Sequence, residues 1–227
     1  MIKAAVFDLD HTLFDRYGTI RKIAPDLVDA FDVSDGVTEE VFAEALIYAD
    51  KRFVHLGWKD VYNCLVEKNI FKTVPPYEVY VETLLKNFRK TTVEYNFAIP
   101  VLKEIKEMGI RTALITNGDP ILQHFKITSL KLDDQFEEII VSGETPFAKP
   151  DPKIFRLMAE KLNIDTGEMM YIGDHPLNDI EGSRNAGCIP VWVKTTGVWA
   201  FPEIEKPEFQ VETVRDVPRL IRTVNER

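Results

Sequence analysis

The stretch that decides the fold is Met1-Ile2-Lys3-Ala4-Ala5-Val6-Phe7-Asp8-Leu9-Asp10-His11-Thr12, an apolar run closed by two acids. In a strand, residues two apart point the same way, so Asp8 and Asp10 leave the strand end together. That end is the edge at which open α/β sheets bind ligands. Like charges held this close repel unless a cation or a proton lies between them, and costly arrangements of this kind mark sites. One carboxylate can serve as nucleophile and its neighbour as general acid and base. An acidic strand end that caps the following turn is the plainer alternative.

Working outward, residues 2–7, 111–116, 137–142, 169–173 and 189–193 are short, aliphatic and bounded by turn residues, as buried parallel strands are. Helical stripes separate them. Leu102, Ile105 and Met108 recur between Pro100 and Gly109, a proline start and glycine stop. Ile154, Phe155, Met158, Ala159 and Leu162 form another stripe. The alternation predicts an α/β fold with a doubly wound parallel sheet. Between Thr12 and Ile110 the rhythm breaks and only amphipathic helices are expected. Val41, Phe42, Ala45, Leu46, Ala49 and Phe53 share one face, and Val79, Tyr80, Leu84 and Phe88 another. About 80 residues here far exceed an ordinary connection of about 2–6. They predict an inserted all-helical cap domain over residues 15–94, with residues 1–14 and 95–227 forming the core. Residues 196–210 read as an irregular ordered loop before a last short strand and a helix near 216–225.

Composition narrows the function. The 227 residues carry 28 basic and 37 acidic side chains, a formal charge of −9, which argues against a nucleic-acid polymer as partner. A small phosphorylated partner stays compatible, because local metal and lysine charge can reverse the field within a pocket. The two cysteines, Cys64 and Cys188, have no metal-ligand spacing and are expected as free thiols in a reducing cytoplasm. No apolar run approaches about 18 residues and no signal-peptide pattern opens the chain, so neither membrane nor export is expected.

Three further groups fall at strand ends. Thr116-Asn117-Gly118-Asp119-Pro120 offers a hydroxyl and outward backbone N–H groups before a helix: an N-cap turn, or a phosphate seat. Lys149 lies between Ala148 and Pro150, where the prolines favour an extended approach. Gly173-Asp174 ends the fourth strand, and Asp179 falls at the start of the next helix. Asp8, Asp10, Asp174 and Asp179, with no histidine or cysteine among them, suit a hard cation, and Mg²⁺ is expected. His11 and His175 are expected to hydrogen-bond locally.

These motifs, Asp8-Leu9-Asp10-His11-Thr12, Thr116-Asn117-Gly118, Lys149-Pro150 and Gly173-Asp174 with Asp179, resemble the haloacid-dehalogenase-like (HAD) superfamily, phosphatase branch with a helical cap. The resemblance implies a Rossmann-like core of sheet order 5-4-1-2-3. It further implies Asp8 as nucleophile, Asp10 as general acid and base, and Lys149 and Thr116, with Asn117, around the phosphoryl group. Asp8, the backbone carbonyl of Asp10 and Asp174 would bind Mg²⁺, and Asp179 would orient Lys149 or a metal-bound water. The implied activity is phosphate-ester hydrolysis on a nucleoside monophosphate, sugar phosphate or phosphoglycolate, through an aspartyl-phosphate. A 2-haloacid dehalogenase of the same superfamily resembles Asp-x-Tyr-Gly-Thr at the first motif, where this chain has Asp10; Tyr17-Gly18-Thr19 is displaced downstream. A phosphonate hydrolase would need a cap lysine (Lys22, Lys51, Lys59 or Lys68), and a phosphomutase a water-excluding cap. A non-catalytic sensor or receiver-like switch fits less well with every motif retained. Arg16, Tyr17, Arg52, His55 and Trp58 are candidates for substrate recognition; packing or a solvated face is the plainer reading of each.

Overall fold

The computed structural model describes residues 1–53, 57–93, 95–196, 199 and 201–226, and divides into two compact units. The first comprises Met1–Asp15 and Glu94–Arg227, the second Arg16–Val93.

The first unit is built on one parallel sheet. Its strands are β1 (Ala4–Phe7), β2 (Arg111–Thr116), β3 (Glu138–Val141), β4 (Met169–Gly173), β5 (Ile189–Val193) and β6 (Phe209–Val211), in spatial order 3-2-1-4-5-6. The expected order is met, and β6 adds the last short strand beyond β5. Strand β1 begins at Ala4 rather than Ile2. Every side chain of β1 is buried, as a central strand covered on both faces requires. The chain winds from β1 through β2 to β3, then crosses back to β4, so the order reverses between β1 and β4. A doubly wound sheet opens a crevice at such a reversal, outside the strand C-termini. Register brings the motifs there: Phe7 pairs with both Leu114 and Ile172, and the Asp8 N–H donates to the Ile172 carbonyl at 2.9 Å.

In the second unit, α1 (Arg16–Ala30), α2 (Glu39–Phe53), α3 (Trp58–Glu67) and α4 (Tyr77–Lys90) enclose their own core. Phe42, Leu46 and Ala49 are buried on α2, as are Tyr80, Leu84 and Phe88 on α4. Val41 and Val79, expected on those faces, are 45% and 50% exposed. Each precedes a buried aromatic by one residue, and one helical step of about 100° carries it off the apolar stripe. Phe31, Tyr62, Phe71 and Tyr80 meet ring to ring. Its described residues hold no strand, only an isolated bridge between Val33 and Phe71.

Five more helices return the chain to the sheet: α5 (Ala98–Glu107), α6 (Pro120–Ser129), α7 (Pro152–Lys161), α8 (Gly182–Ala186) and α9 (Val217–Asn225). Helix α5 starts at Ala98, two residues before the expected Pro100. A proline is tolerated there because the first-turn N–H groups lack helical partners anyway. Met108 sits at its C-cap, half-buried, and Gly109 turns the chain at φ 75°. On α7 the stripe Ile154, Phe155, Met158 and Ala159 packs against Val6, Ile115 and Tyr171. The Phe155 and Tyr171 rings meet edge to face at 4.8 Å.

Candidate active site

Past the end of β1, Asp8 is almost wholly buried while Asp10 stays partly open. Lys149, in the loop before α7, reaches the first acid. Its Nζ donates to Asp8 Oδ1 at 2.6 Å, Asp179 Oδ1 at 2.7 Å and the Tyr171 hydroxyl at 3.0 Å. It is a buried lysine, not a solvated loop residue, and its three partners compensate the desolvation of the ammonium. Asn117 fixes the backbone beneath it. The Asn117 amide donates to the Lys149 carbonyl at 2.8 Å, and its oxygen accepts from the Lys149 N–H at 3.0 Å. The Asn117 side chain is thus committed to shaping the lysine loop.

Asp179 lies in a π-helical segment, Pro176–Glu181, and also accepts the His175 N–H at 2.9 Å. Gly173 makes its approach feasible: a Cβ at that position would lie 2.5 Å from the Asp179 carboxyl carbon. His175 hydrogen-bonds locally, its Nδ1 accepting from the Asn178 N–H. Asp174 is buried beside these groups, its carbonyl held by the Trp192 indole N–H at 3.0 Å.

Asp8, Asp174 and Asp179 each offer an oxygen within 4.8 Å of the others. Burial raises the Asp8 carboxyl to about 7, against the pull of Lys149 and with the push of Asp179 and Asp10. Burial, then Asp179 and Asp8, drives Asp174 well above the carboxylate range. Burial alone would depress Lys149, yet Asp179 and Asp8 hold it well above the usual lysine value. Were all three carboxyls ionised, the single Lys149 ammonium would leave two negative charges uncompensated. The donors are hard oxygens throughout, and a divalent cation of the Mg²⁺ kind fits both their chemistry and their charge.

The Asp10 carboxylate does not join that cluster; it turns to α6. Lys126 Nζ donates to its Oδ1 and Oδ2 at 2.8 and 3.0 Å, and Gln123 Nε2 to Oδ2 at 3.1 Å. Gln123 also donates to the buried Thr116 hydroxyl at 2.5 Å. The N-terminus of α6 is capped by Asp119, whose Oδ1 accepts the Leu122 N–H, so the turn after Thr116 is an N-cap.

No motif in the sequence marks Gln123, Lys126 or Tyr171. Their signal is polarity in the wrong place: Gln123 and Lys126 are spaced i, i+3 on the face that also buries Leu122 and Ile127. Tyr171 is the one hydroxyl in the buried strand Met169–Gly173.

The recognition candidates belong to the helical unit. Arg16 is buried, clamping Asp50 through Nε at 3.2 and 3.0 Å and Nη2 at 2.7 Å. Its guanidinium lies 4.9 Å from the Trp58 ring centre and 5.6 Å from that of Phe88. Arg16 and Trp58 therefore take part in the packing of that unit. Arg52 is exposed, over the Tyr48 and Phe53 rings, and Tyr17 lies under the Lys51 ammonium. His55 lies outside the described residues. Cys64 and Cys188 are free and buried, and no described helix is long and apolar enough to cross a membrane.

A family model described as haloacid dehalogenase-like hydrolase matches residues 2–187. Glyceraldehyde 3-phosphate phosphatase of Pyrococcus furiosus is 35% identical over 123 residues, 54% of this chain and 51% of that protein. The chain thus spans about half the length of the first curated relatives it matches. Glyceraldehyde 3-phosphate phosphatase of Methanopyrus kandleri is 30% identical over 239 residues, covering 98% of each chain. Among solved structures, the HAD hydrolase YfnB of Bacillus subtilis bound to magnesium is similar at a TM-score of 0.75 and 19% identity, over 97% of this chain and 98% of that one.

Proposed function

Because the chain belongs to the haloacid dehalogenase-like hydrolases, we propose that it is a Mg²⁺-dependent phosphatase of a small phosphorylated metabolite, working through an aspartyl-phosphate. One observation carries this reading: Asp8, nearly buried, is paired with Lys149 while a second acid, Asp10, stands two residues on with its carboxylate partly open.

Asp8 is assigned as nucleophile. Asp8 would attack as the carboxylate, the form that the Lys149 ammonium favours against burial, whereas an alkoxide leaving group needs a proton. As the Asp8 oxygen bonds to phosphorus, the ester P–O bond breaks and Asp10 gives its proton to the departing oxygen. Asp10 then takes a proton from water as the water oxygen attacks phosphorus, the bond to Asp8 breaks and inorganic phosphate leaves. Lys149 and the Thr116 hydroxyl hold phosphoryl oxygens while charge redistributes. Asn117 keeps the lysine loop in place, and Asp179 holds the ammonium toward Asp8. Asp8, Asp174 and the backbone carbonyl of Asp10 would hold Mg²⁺, and Asp179 would orient Lys149 or a metal-bound water. When bound, the ion relieves repulsion between the phosphate and the carboxylates.

Asp10 also separates this reading from a dehalogenase, which has no alkoxide to protonate. In this reading the helical unit would serve as a cap, which favours small substrates. The two named relatives are glyceraldehyde 3-phosphate phosphatases, so a phosphorylated three-carbon compound is the first substrate to try, beside sugar phosphates, nucleoside monophosphates and phosphoglycolate. The test is phosphate release from such a panel with Mg²⁺, with chelator, and by Asp8→Asn. At least one ester should turn over with Mg²⁺ only, and Asp8→Asn should be folded and inactive. Full activity in chelator, or more than a few per cent retained by Asp8→Asn, overturns the assignment.

A further inference from the structure

Lys126 is among the largest fully buried side chains of the protein. Burying an ammonium is costly unless a charge and hydrogen bonds compensate it, so its place must be explained by its partner. Asp10 is such a partner, and the two ends of the pair differ in exposure. The Lys126 side chain is 2% exposed and the Asp10 side chain 22%. Here the cation lies behind and the carboxylate keeps an accessible side. Phe14 lines the lysine, its ring centre 5.1 Å from Nζ.

Gln123, one turn earlier on α6, divides its two amide hydrogens between Asp10 Oδ2 and Thr116 Oγ1. One side chain thereby ties the proposed proton donor to the proposed phosphoryl ligand. Because Thr116 Oγ1 accepts from Gln123, its own proton is left to donate to an anion. Gly118, at φ 146°, gives this amide room: a Cβ there would lie 3.0 Å from Gln123 Cγ.

We propose that Lys126 and Gln123 are positioning residues of the phosphatase, holding the Asp10 carboxylate in one orientation toward the leaving-group oxygen and Thr116 in its donor role. The inference rests on the phosphatase reading above and deepens it. In the step concerned, Asp10 enters protonated, and its O–H bond breaks as the proton joins the departing oxygen and the ester P–O bond opens. Lys126 holds the carboxylate left behind, which then takes the proton of the attacking water. Misplacing Asp10 therefore harms esters whose leaving group needs the proton and spares those whose leaving group departs as a stable anion.

The experiment compares kcat/KM for p-nitrophenyl phosphate with that for the alkyl phosphate the wild type turns over fastest, in Lys126→Met, Lys126→Arg and Gln123→Leu. Lys126→Met should lose about 100-fold on the alkyl ester and under about 5-fold on the aryl ester, with inhibition by inorganic phosphate unchanged. Lys126→Arg, which restores the charge but must fit a larger planar group into a buried site, should recover part of the loss. Gln123→Leu should in addition raise KM and weaken inhibition by inorganic phosphate, since Thr116 loses its anchor. A crystal structure of Lys126→Met should show Asp10 in another rotamer. Should Lys126→Met not fold, Lys126→Gln replaces it. Equal losses on the two esters, no loss, or an unmoved Asp10 overturns the positioning role while the phosphatase stands. A wild type that releases phosphate from neither ester overturns the phosphatase reading, and this inference with it.

Discussion

Asn117 and Lys149 are joined by a reciprocal pair of hydrogen bonds, the side-chain amide of one spanning the backbone N–H and C=O of the other at 3.0 and 2.8 Å. The amide thus does for the lysine loop what a strand partner would do, replacing ladder bonds the loop cannot make. Replacing it with alanine leaves both backbone groups to find water and frees the loop. Asn117→Ala should lower kcat/KM about 10- to 100-fold and cost about 1–3 kcal/mol of stability, read by phosphate release and urea unfolding. Unchanged kinetics would detach the loop from the site.

Gly173 and Asp179 make the next case. The Cβ of an alanine would collide with the Asp179 carboxyl, 2.5 Å away, and that carboxylate holds both Lys149 and the His175 N–H. Gly173→Ala should destabilise the fold by about 1–3 kcal/mol through overpacking and remove most activity, measured by thermal unfolding and phosphate release. A variant of wild-type stability would mean that the segment from Pro176 yields easily.

In the helical unit, Arg16 and Asp50 form a buried bidentate pair. Asp50→Ala should cost about 3–5 kcal/mol by stranding the guanidinium, whereas Arg16→Met combined with Asp50→Leu should cost far less. Denaturant unfolding of the three proteins decides it. Equal losses would show that the pair does more than compensate its own burial.

The closeness of the Asp8, Asp174 and Asp179 oxygens has a consequence independent of turnover. A cation that binds the folded chain stabilises it, by about 2.7 kcal/mol at one hundred times its Kd. Mg²⁺ should therefore raise the Tm and chelator lower it, and Asp174→Asn should abolish most of the difference. A Tm indifferent to Mg²⁺ in the wild type would remove the metal from the site.

Some of this molecule is legible in one dimension. Strands 111–116 and 169–173 have the bounds expected of them, because a buried parallel strand is a short run of aliphatic residues closed by turn formers. Asp8, Thr116, Lys149 and Asp174 all stand at strand ends or in the loop that follows, which is why order along the chain is enough to list them. Val41 and Val79 show the limit on helices, where one residue of phase separates core from solvent.

Asp10, Gln123 and Lys126 mark the deeper limit. The sequence by itself determined that two acids leave one strand together and that helices alternate with strands, since these depend on local periodicity and turn chemistry. Only the tertiary structure decided that Asp8 faces Lys149 while Asp10 turns to Lys126, more than a hundred residues away. Local pattern records what each segment prefers alone; a buried charge is placed by a partner that folding brings to it, and its energy exists only once both have left water.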